Sequence, residues 1–303
     1  MANYKLLKRL SCIMHLLTHK RGISKTEMLN RLYMDFDIDT TSRTLERDLK
    51  NLKDDFGIEV NYSRSIRGYV IEEKDEYINR FLKFAEFSSL AEVYDEGFKN
   101  YKSFDKYVLK DDSLEFTGLH NMARILKAIT LSRKLKFTKE NYTNETIKTY
   151  TVSPLRLKEY LNRWYLIAVP NGIDEIRSFG LDRITDLQLL DEKATIKDSF
   201  EDQIKQYDDV IGLNFNETKK VEKVVLEVDN NQLKYLKSLP LHKSQVCIDG
   251  EKGTPSLAIY KVKPNYEFET QILRMGDTVE VIEPLWLRKK IKERLTKTIE
   301  RYS

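Results

Sequence analysis

The apolar residues of this chain change period once, near Leu135, and that change constrains the fold more than any other feature. Before it, they recur every three or four positions, as on one face of a helix. After it, short apolar runs alternate with polar residues, as along strands. One uniform architecture cannot bury both patterns. With 303 residues the chain is long enough for two or three domains with separate cores. The fold class read from this is α+β and multidomain.

The helical part has its own order. Leu6, Leu7, Leu10, Ile13, Met14 and Leu17 share a face, so residues 3–19 read as an amphipathic helix that Gly22 ends. Ser24 with Glu27 three residues on reads as a capping box, opening a second helix with Met28, Leu29, Leu32 and Phe36 inward. Residues 35–40 read as a turn. A third helix begins at Thr41 or Ser42 and runs to Gly57. Two short strands follow, Ile58–Tyr62 and Gly68–Glu72, joined by an Arg-bearing turn. Three helices and a hairpin are the order of a winged helix-turn-helix, assigned to residues 1–74.

Residues 75–130 read as a helical linker and a candidate dimer interface. Several short strands then fall within about 60 residues, the density of a small β-barrel, assigned to residues 131–197. Residues 198–215 read as helix or loop. Residues 216–303 alternate strand and helix and read as a small C-terminal α+β domain. No run of about 18 apolar residues occurs, so no membrane span is expected. The N-terminus lacks the unbroken apolar stretch of a signal peptide. Cys12 and Cys247 lie far apart, which suits a reducing cytoplasm.

A net charge of +4 does not by itself point to nucleic acid, so charge placement has to. On the third helix Leu45, Leu49 and Leu52 mark the buried face. Arg43, Arg47 and Lys50 project opposite, with Thr41, Ser42 and Thr44 at the helix start. Arg residues reach base edges or phosphates there, and hydroxyls and backbone N–H groups at a helix start meet phosphate. Arg64 and Arg67 flank the hairpin turn, where a wing meets the DNA backbone or minor groove. Against this, Glu46, Asp48, Asp54, Asp55 and Glu59 nearly cancel the bases, as on an ordinary solvated face. The segment "TSRTLERDLKNL" resembles the winged helix-turn-helix of bacterial regulators of the DeoR kind, whose recognition helix often reads T-[IL]-x-R-D-[IL]-x-x-L. The matching residues are Thr44, Leu45, Arg47, Asp48, Leu49 and Leu52. The resemblance implies double-stranded DNA as a partner and a structural role for Asp48.

The stretch "RWYLIAVP", residues 163–170, reads as a strand. Trp164, Leu166 and Ala168 lie on one side as core, and Arg163, Tyr165 and Ile167 on the other. With "SPLRLKEYLN" before it and "EIRSFGLDRI" after it, the region 120–195 resembles the WYL domain, named for the residues Trp164, Tyr165 and Leu166. The resemblance implies an SH3/Sm-like β-barrel, coupled to a winged helix in bacterial transcription regulators. The last 85 residues look like the extension domain that accompanies it. It further implies a sensor for a nucleotide or a single-stranded nucleic acid. Tyr165 supplies a ring, and Arg163, Arg177 and Arg183 supply cations, as a base with a phosphate requires. For any one Arg the plainer role is a salt bridge with Asp182 or Glu175.

Nothing in the sequence suggests catalysis. There is no Walker loop, no nucleophile elbow and no catalytic carboxylate pair. His15 and His19 are four apart without an intervening Glu, so no metal site or cofactor is expected. The sequence thus reads as a cytoplasmic, homodimeric, DNA-binding transcriptional regulator controlled by a ligand at its barrel. Dimerisation is expected because paired half-sites multiply the small contact area of one winged helix. The alternative is a nucleotide- or nucleic-acid-binding accessory module that modulates a partner protein.

Overall fold

The computed structural model describes residues 2–20, 22–71, 77–78, 80–86, 118–141, 146–215, 220–251 and 254–302. The chain divides into two compact units, Met1–Asp111 and Asp112–Ser303.

The first unit opens with three helices, α1 (Ala2–His19), α2 (Lys25–Phe36) and α3 (Ser42–Phe56). Their ends follow from local chemistry. Ser24 Oγ accepts from Glu27 N at 3.2 Å and Thr41 Oγ1 accepts from Thr44 N at 3.2 Å, each satisfying one of the free donors of a helix start. Gly57 closes α3 in the left-handed conformation that glycine adopts without strain. Leu10, Ile13, Met14, Met28, Leu32, Leu45 and Leu52 form the buried centre where the three helices meet. Helical residues 80–86 add Phe81 and Ala85 to the same core.

A hairpin of β1 (Asn61–Ser63) and β2 (Gly68–Val70) follows α3. Its first strand starts later than the sequence suggests. Ile58 donates its N–H to Leu52 O at 2.9 Å and is buried in the helical core, so the cap of α3 holds residues that the alternation assigns to a strand. The hairpin also has a third partner. Ile23, between α1 and α2, exchanges two backbone hydrogen bonds with Tyr69, at 3.1 and 2.8 Å. Gly68 permits this approach, because a Cβ there would lie 2.8 Å from Ile23 N. Most of the stretch expected to be a helical linker and dimer interface, residues 87–117, lies outside the described residues.

The second unit begins with α4 (Met122–Thr130) and five strands: β3 (Arg133–Asn141), β4 (Thr146–Tyr160), β5 (Arg163–Pro170), β6 (Arg177–Gly180) and β7 (Ile184–Lys193). They form one antiparallel sheet in the order β6-β5-β4-β3-β7. A 3₁₀ turn, Leu181–Arg183, separates β6 from β7 and carries the chain across to β3. The expected barrel is not closed, since the edge strands β6 and β7 are not hydrogen-bonded to each other among the described residues. Pro154 sits inside β4, where a bulge between Pro154 and Arg156 accommodates its missing N–H. Leu161 and Asn162 join β4 to β5 with φ of 49° and 60°, the geometry of a tight two-residue hairpin turn.

Both faces of this sheet are covered. Trp164, Leu166, Ala168, Phe137 and Phe179 pack with Ile125 and Ala128 of α4. On the other face Ile167, Val169 and Leu155 pack with Phe200 of α5 (Asp198–Lys205). The rest of the unit is a four-stranded antiparallel sheet in the order β11-β8-β10-β9. Its elements run β8 (Glu222–Val228), α6 (Asn230–Ser238), β9 (Val246–Ile248), β10 (Ser256–Val262), α7 (Tyr266–Arg274), β11 (Val279–Glu283) and α8 (Leu285–Ile299). This is a split βαβ arrangement, with β10 lying between the parallel strands β8 and β9. No helix among the described residues is long and apolar enough to cross a membrane.

Candidate functional site

The first candidate site is the exposed face of α3 with the hairpin turn. Leu45 and Leu52 are fully buried and Leu49 is half-buried, so the helix presents Arg43, Arg47 and Lys50 to solvent. Thr41 and Ser42 are exposed at its start. Thr44 is half-buried, with its hydroxyl 3.1 Å from that of Thr41. Arg64 and Arg67 are exposed on the hairpin turn, and Arg67 adopts a left-handed φ of 54°.

Three of the five acidic residues that seem to cancel these bases pair elsewhere. Asp48 is wholly buried and its carboxylate accepts from Arg9 of α1, with Nη2–Oδ1 at 2.9 Å and Nε donating to Oδ2. Glu46 pairs with Lys25 at the start of α2. Glu59 pairs with Lys53 at 2.9 Å, and Asp54 stands 3.9 Å from Lys50. Lys50 is thereby partly compensated. Arg43, Arg47, Arg64 and Arg67 make no ion pair among the described residues. The face therefore carries more positive charge than the sequence sum indicates, and all four guanidiniums can form bidentate bonds with phosphate or guanine.

The second candidate site surrounds Asp182, in the turn between β6 and β7. Its carboxylate lies 3.6 Å from Arg163 and 3.9 Å from Arg183. Gly180 makes this packing possible, because a Cβ there would lie 2.4 Å from Asp182 Oδ1. Tyr165 stands on the same strand face as Arg163. Burial raises the pKa of its hydroxyl, and the charge of Arg163 partly opposes that rise. Lys139 of β3 joins the group, with Nζ 5.4 Å from the centre of the Phe179 ring. Burial first, and then the charges of Arg183 and Arg177, hold the Lys139 ammonium below its ordinary pKa.

Of the four residues expected from the sequence, Arg163, Tyr165 and Arg183 gather at Asp182, and Arg177 stands apart at the far end of β6. The plain salt-bridge role holds for Arg163 and Arg183, at long distances. Arg177 is exposed and makes no ion pair among the described residues. Lys139 and Phe179 are the residues that sequence reasoning misses. Their signal lies in the register that sets Lys139 opposite Ile184, beside Arg183, and strand pairing is not readable from one sequence. Of the naming residues of the strand, Leu166 is buried, Trp164 is half-buried on the α4 face, and Tyr165 lies on the opposite face with Arg163.

A family model described as the WYL domain matches residues 120–189, and one described as the WCX domain matches residues 220–299. The chain carries a WYL domain and, after it, a WCX domain. The WYL domain comprises α4 and the five-stranded sheet, and the WCX domain forms the split βαβ sheet. No curated protein matches the chain. Among solved structures, one similar chain is proteasome accessory factor B/C (PafBC) of Arthrobacter aurescens, 16% identical with a TM-score of 0.32. That match covers 96% of this chain, which spans 46% of the PafBC chain. Another is a CRISPR Cas-related protein, 10% identical with a TM-score of 0.39, covering 99% of this chain and 85% of that one. At such scores neither likeness bears on the fold.

Proposed function

We propose that this WYL-domain protein is a DNA-binding transcriptional regulator. In this reading the first unit is a winged helix-turn-helix, with α3 in the major groove and the hairpin as wing. The observation that carries it is the fate of the acidic residues on and beside α3. Asp48, Glu46 and Glu59 are taken up by Arg9, Lys25 and Lys53, which leaves Arg43, Arg47, Arg64 and Arg67 uncompensated on one unit. The Ile23–Tyr69 pairing supports the wing assignment, since it anchors the hairpin to the segment that enters α2.

The cations around Asp182 are the proposed effector site. Lys139, Arg163 and Arg183 outnumber the carboxylate they flank, with Arg177 further along β6, and Tyr165 supplies a ring. A nucleotide or a single-stranded nucleic acid meets that chemistry with its phosphates and bases. The protein acts as a homodimer in this reading. Effector binding changes DNA affinity only if one arrangement of the dimer holds the effector more tightly.

The test is a titration against a duplex from the chain's own upstream region, at several salt concentrations. Arg43→Glu and Arg47→Glu should abolish specific binding. Arg64→Ala should lower the slope of log K against log salt by about 0.9 for each phosphate it no longer neutralises. Arg163→Ala and Arg177→Ala should leave duplex binding intact and remove its response to added nucleotides or single strands. Binding of the upstream duplex no tighter than random DNA would refute the regulator reading.

A further inference from the structure

Strand β6 is an edge of the five-stranded sheet, and a groove of 610 Å³ lies along its open side. Its lining includes Glu175, Ile176, Arg177 and Ser178 of the edge, with Tyr207 and Phe215 across from them. Tyr207 and Phe215 meet edge to face at 5.1 Å, and the Tyr207 hydroxyl lies 3.0 Å from Ser178 Oγ.

The first step along this edge is already taken by a side chain acting as a peptide group. Gln203 Oε1 accepts from Ile176 N at 2.9 Å, and its Nε2 donates to Asp174 O at 3.1 Å. One amide thus supplies an acceptor and a donor to the edge, as a peptide unit of a neighbouring strand does. Backbone groups of alternate residues face the same edge, so the N–H and C=O of Ser178 point outward as Ile176 N does. Gln203 completes only the first rung of a ladder that has no sixth strand among the described residues.

The two faces of β6 specify what that strand would carry. Ile176 and Ser178 face Tyr207 and the apolar cluster of Leu155, Ile167 and Phe200. Arg177 and Phe179 face the opposite way, toward Lys139 and Arg183. Side chains of an added strand alternate between the same two faces. We infer that the β6 edge is a docking site for an extended polypeptide whose residues alternate apolar and acidic. Its backbone pairs with Ser178, its apolar side chains enter beside Tyr207 and Phe215, and its carboxylates meet Arg177 and Lys139. This is β-strand addition, in which main-chain bonds give affinity and alternate side chains give selectivity. The site does not depend on DNA binding by the first unit. It shares Arg177 with the proposed effector site, so peptide and effector compete.

The test is fluorescence polarisation of a short labelled peptide alternating Val and Glu against the full chain. Ser178→Pro removes the outward N–H at a position where an edge strand tolerates proline, and Ser178→Ala removes only the hydroxyl. Saturable binding is expected, weakened about tenfold or more by Ser178→Pro and by Arg177→Glu and little changed by Ser178→Ala. A peptide alternating Val and Lys should not bind. Circular dichroism and duplex binding of the same variants confirm that the fold is intact. Three results would overturn the inference. One is no binding of the Val–Glu peptide up to about 1 mM. Another is equal binding by a folded Ser178→Pro variant, which would mean attraction of a polyanion to the cations alone. The third is a Ser178→Ala loss equal to that of proline.

Discussion

The Arg9–Asp48 pair gives the sharpest prediction for the first unit. Asp48 is 0% exposed and the Arg9 side chain 16%, so Asp48→Ala leaves a guanidinium with a short route to water. Two charge-assisted bonds of about 1.5–3 kcal/mol each set the upper scale. Partial escape of Arg9 to solvent brings the expected loss to about 3 kcal/mol. Arg9→Met is worse at neutral pH, about 4–5 kcal/mol, because the carboxylate it strands has no route to water. The double variant Arg9→Met/Asp48→Leu removes both charges and should return to within about 1.5 kcal/mol of the parent. Native-state hydrogen exchange of the α1 and α3 amides reads the opening of this unit apart from the other. If Asp48→Ala costs under about 1 kcal/mol, or the double variant loses the sum of the singles, the pair does not hold the helices together.

Two further outcomes follow from the geometry. Gly68→Ala drives a Cβ to 2.8 Å from Ile23 N and should cost about 2–3 kcal/mol, with loss of exchange protection at Ile23 and Tyr69; unchanged protection would show that the close approach is not needed. His242 is held neutral, since Ser244 N donates to its Nδ1 at 3.1 Å and its Nε2 lies 2.9 Å from Asp208 O. Burial lowers its pKa, against which Lys243 adds and Asp208 and Asp209 oppose. Its contribution to stability is therefore complete above about pH 6.5 and is lost as pH falls below that value. Denaturant unfolding at pH 7.5 and 5.5 should show a larger acid loss for the parent than for His242→Gln, and equal losses would remove His242 as the cause.

Much of this architecture is legible in the sequence because local chemistry fixes it. Ser24, Thr41 and Gly57 mark helix ends by the bonds they make with their own neighbours, and Leu45, Leu49 and Leu52 mark a face by spacing alone. The misreadings occur where a distant contact decides. Ile58 alternates like a strand residue but is drawn into the helical core by the cap of α3. Nothing local announces the turn after β6, where Gly180 must admit Asp182 and Arg183 against it. The Leu161–Asn162 turn contains neither glycine nor proline. The barrel expectation rests on strand count, whereas closure depends on where edge strands finish. At the candidate DNA face the sequence holds the charges but not their pairing: Arg9 and Asp48 are 39 positions apart, and only the packing of α1 on α3 removes that carboxylate from the surface. Lys139 escapes notice for the same reason.

Strand β4 runs from Thr146 to Tyr160, and its last residue, paired with Arg163 of β5, also reaches the neighbouring sheet. The Tyr160 ring packs against the core of the WCX sheet, and its hydroxyl accepts from Gln271 of α7 at 3.5 Å. One strand thus serves two cores, with Val152 inside that of the WYL sheet and Tyr160 against that of the WCX sheet. Cutting the chain between them would not release two finished domains. It would pull a tyrosine off the WCX core and leave an open socket there.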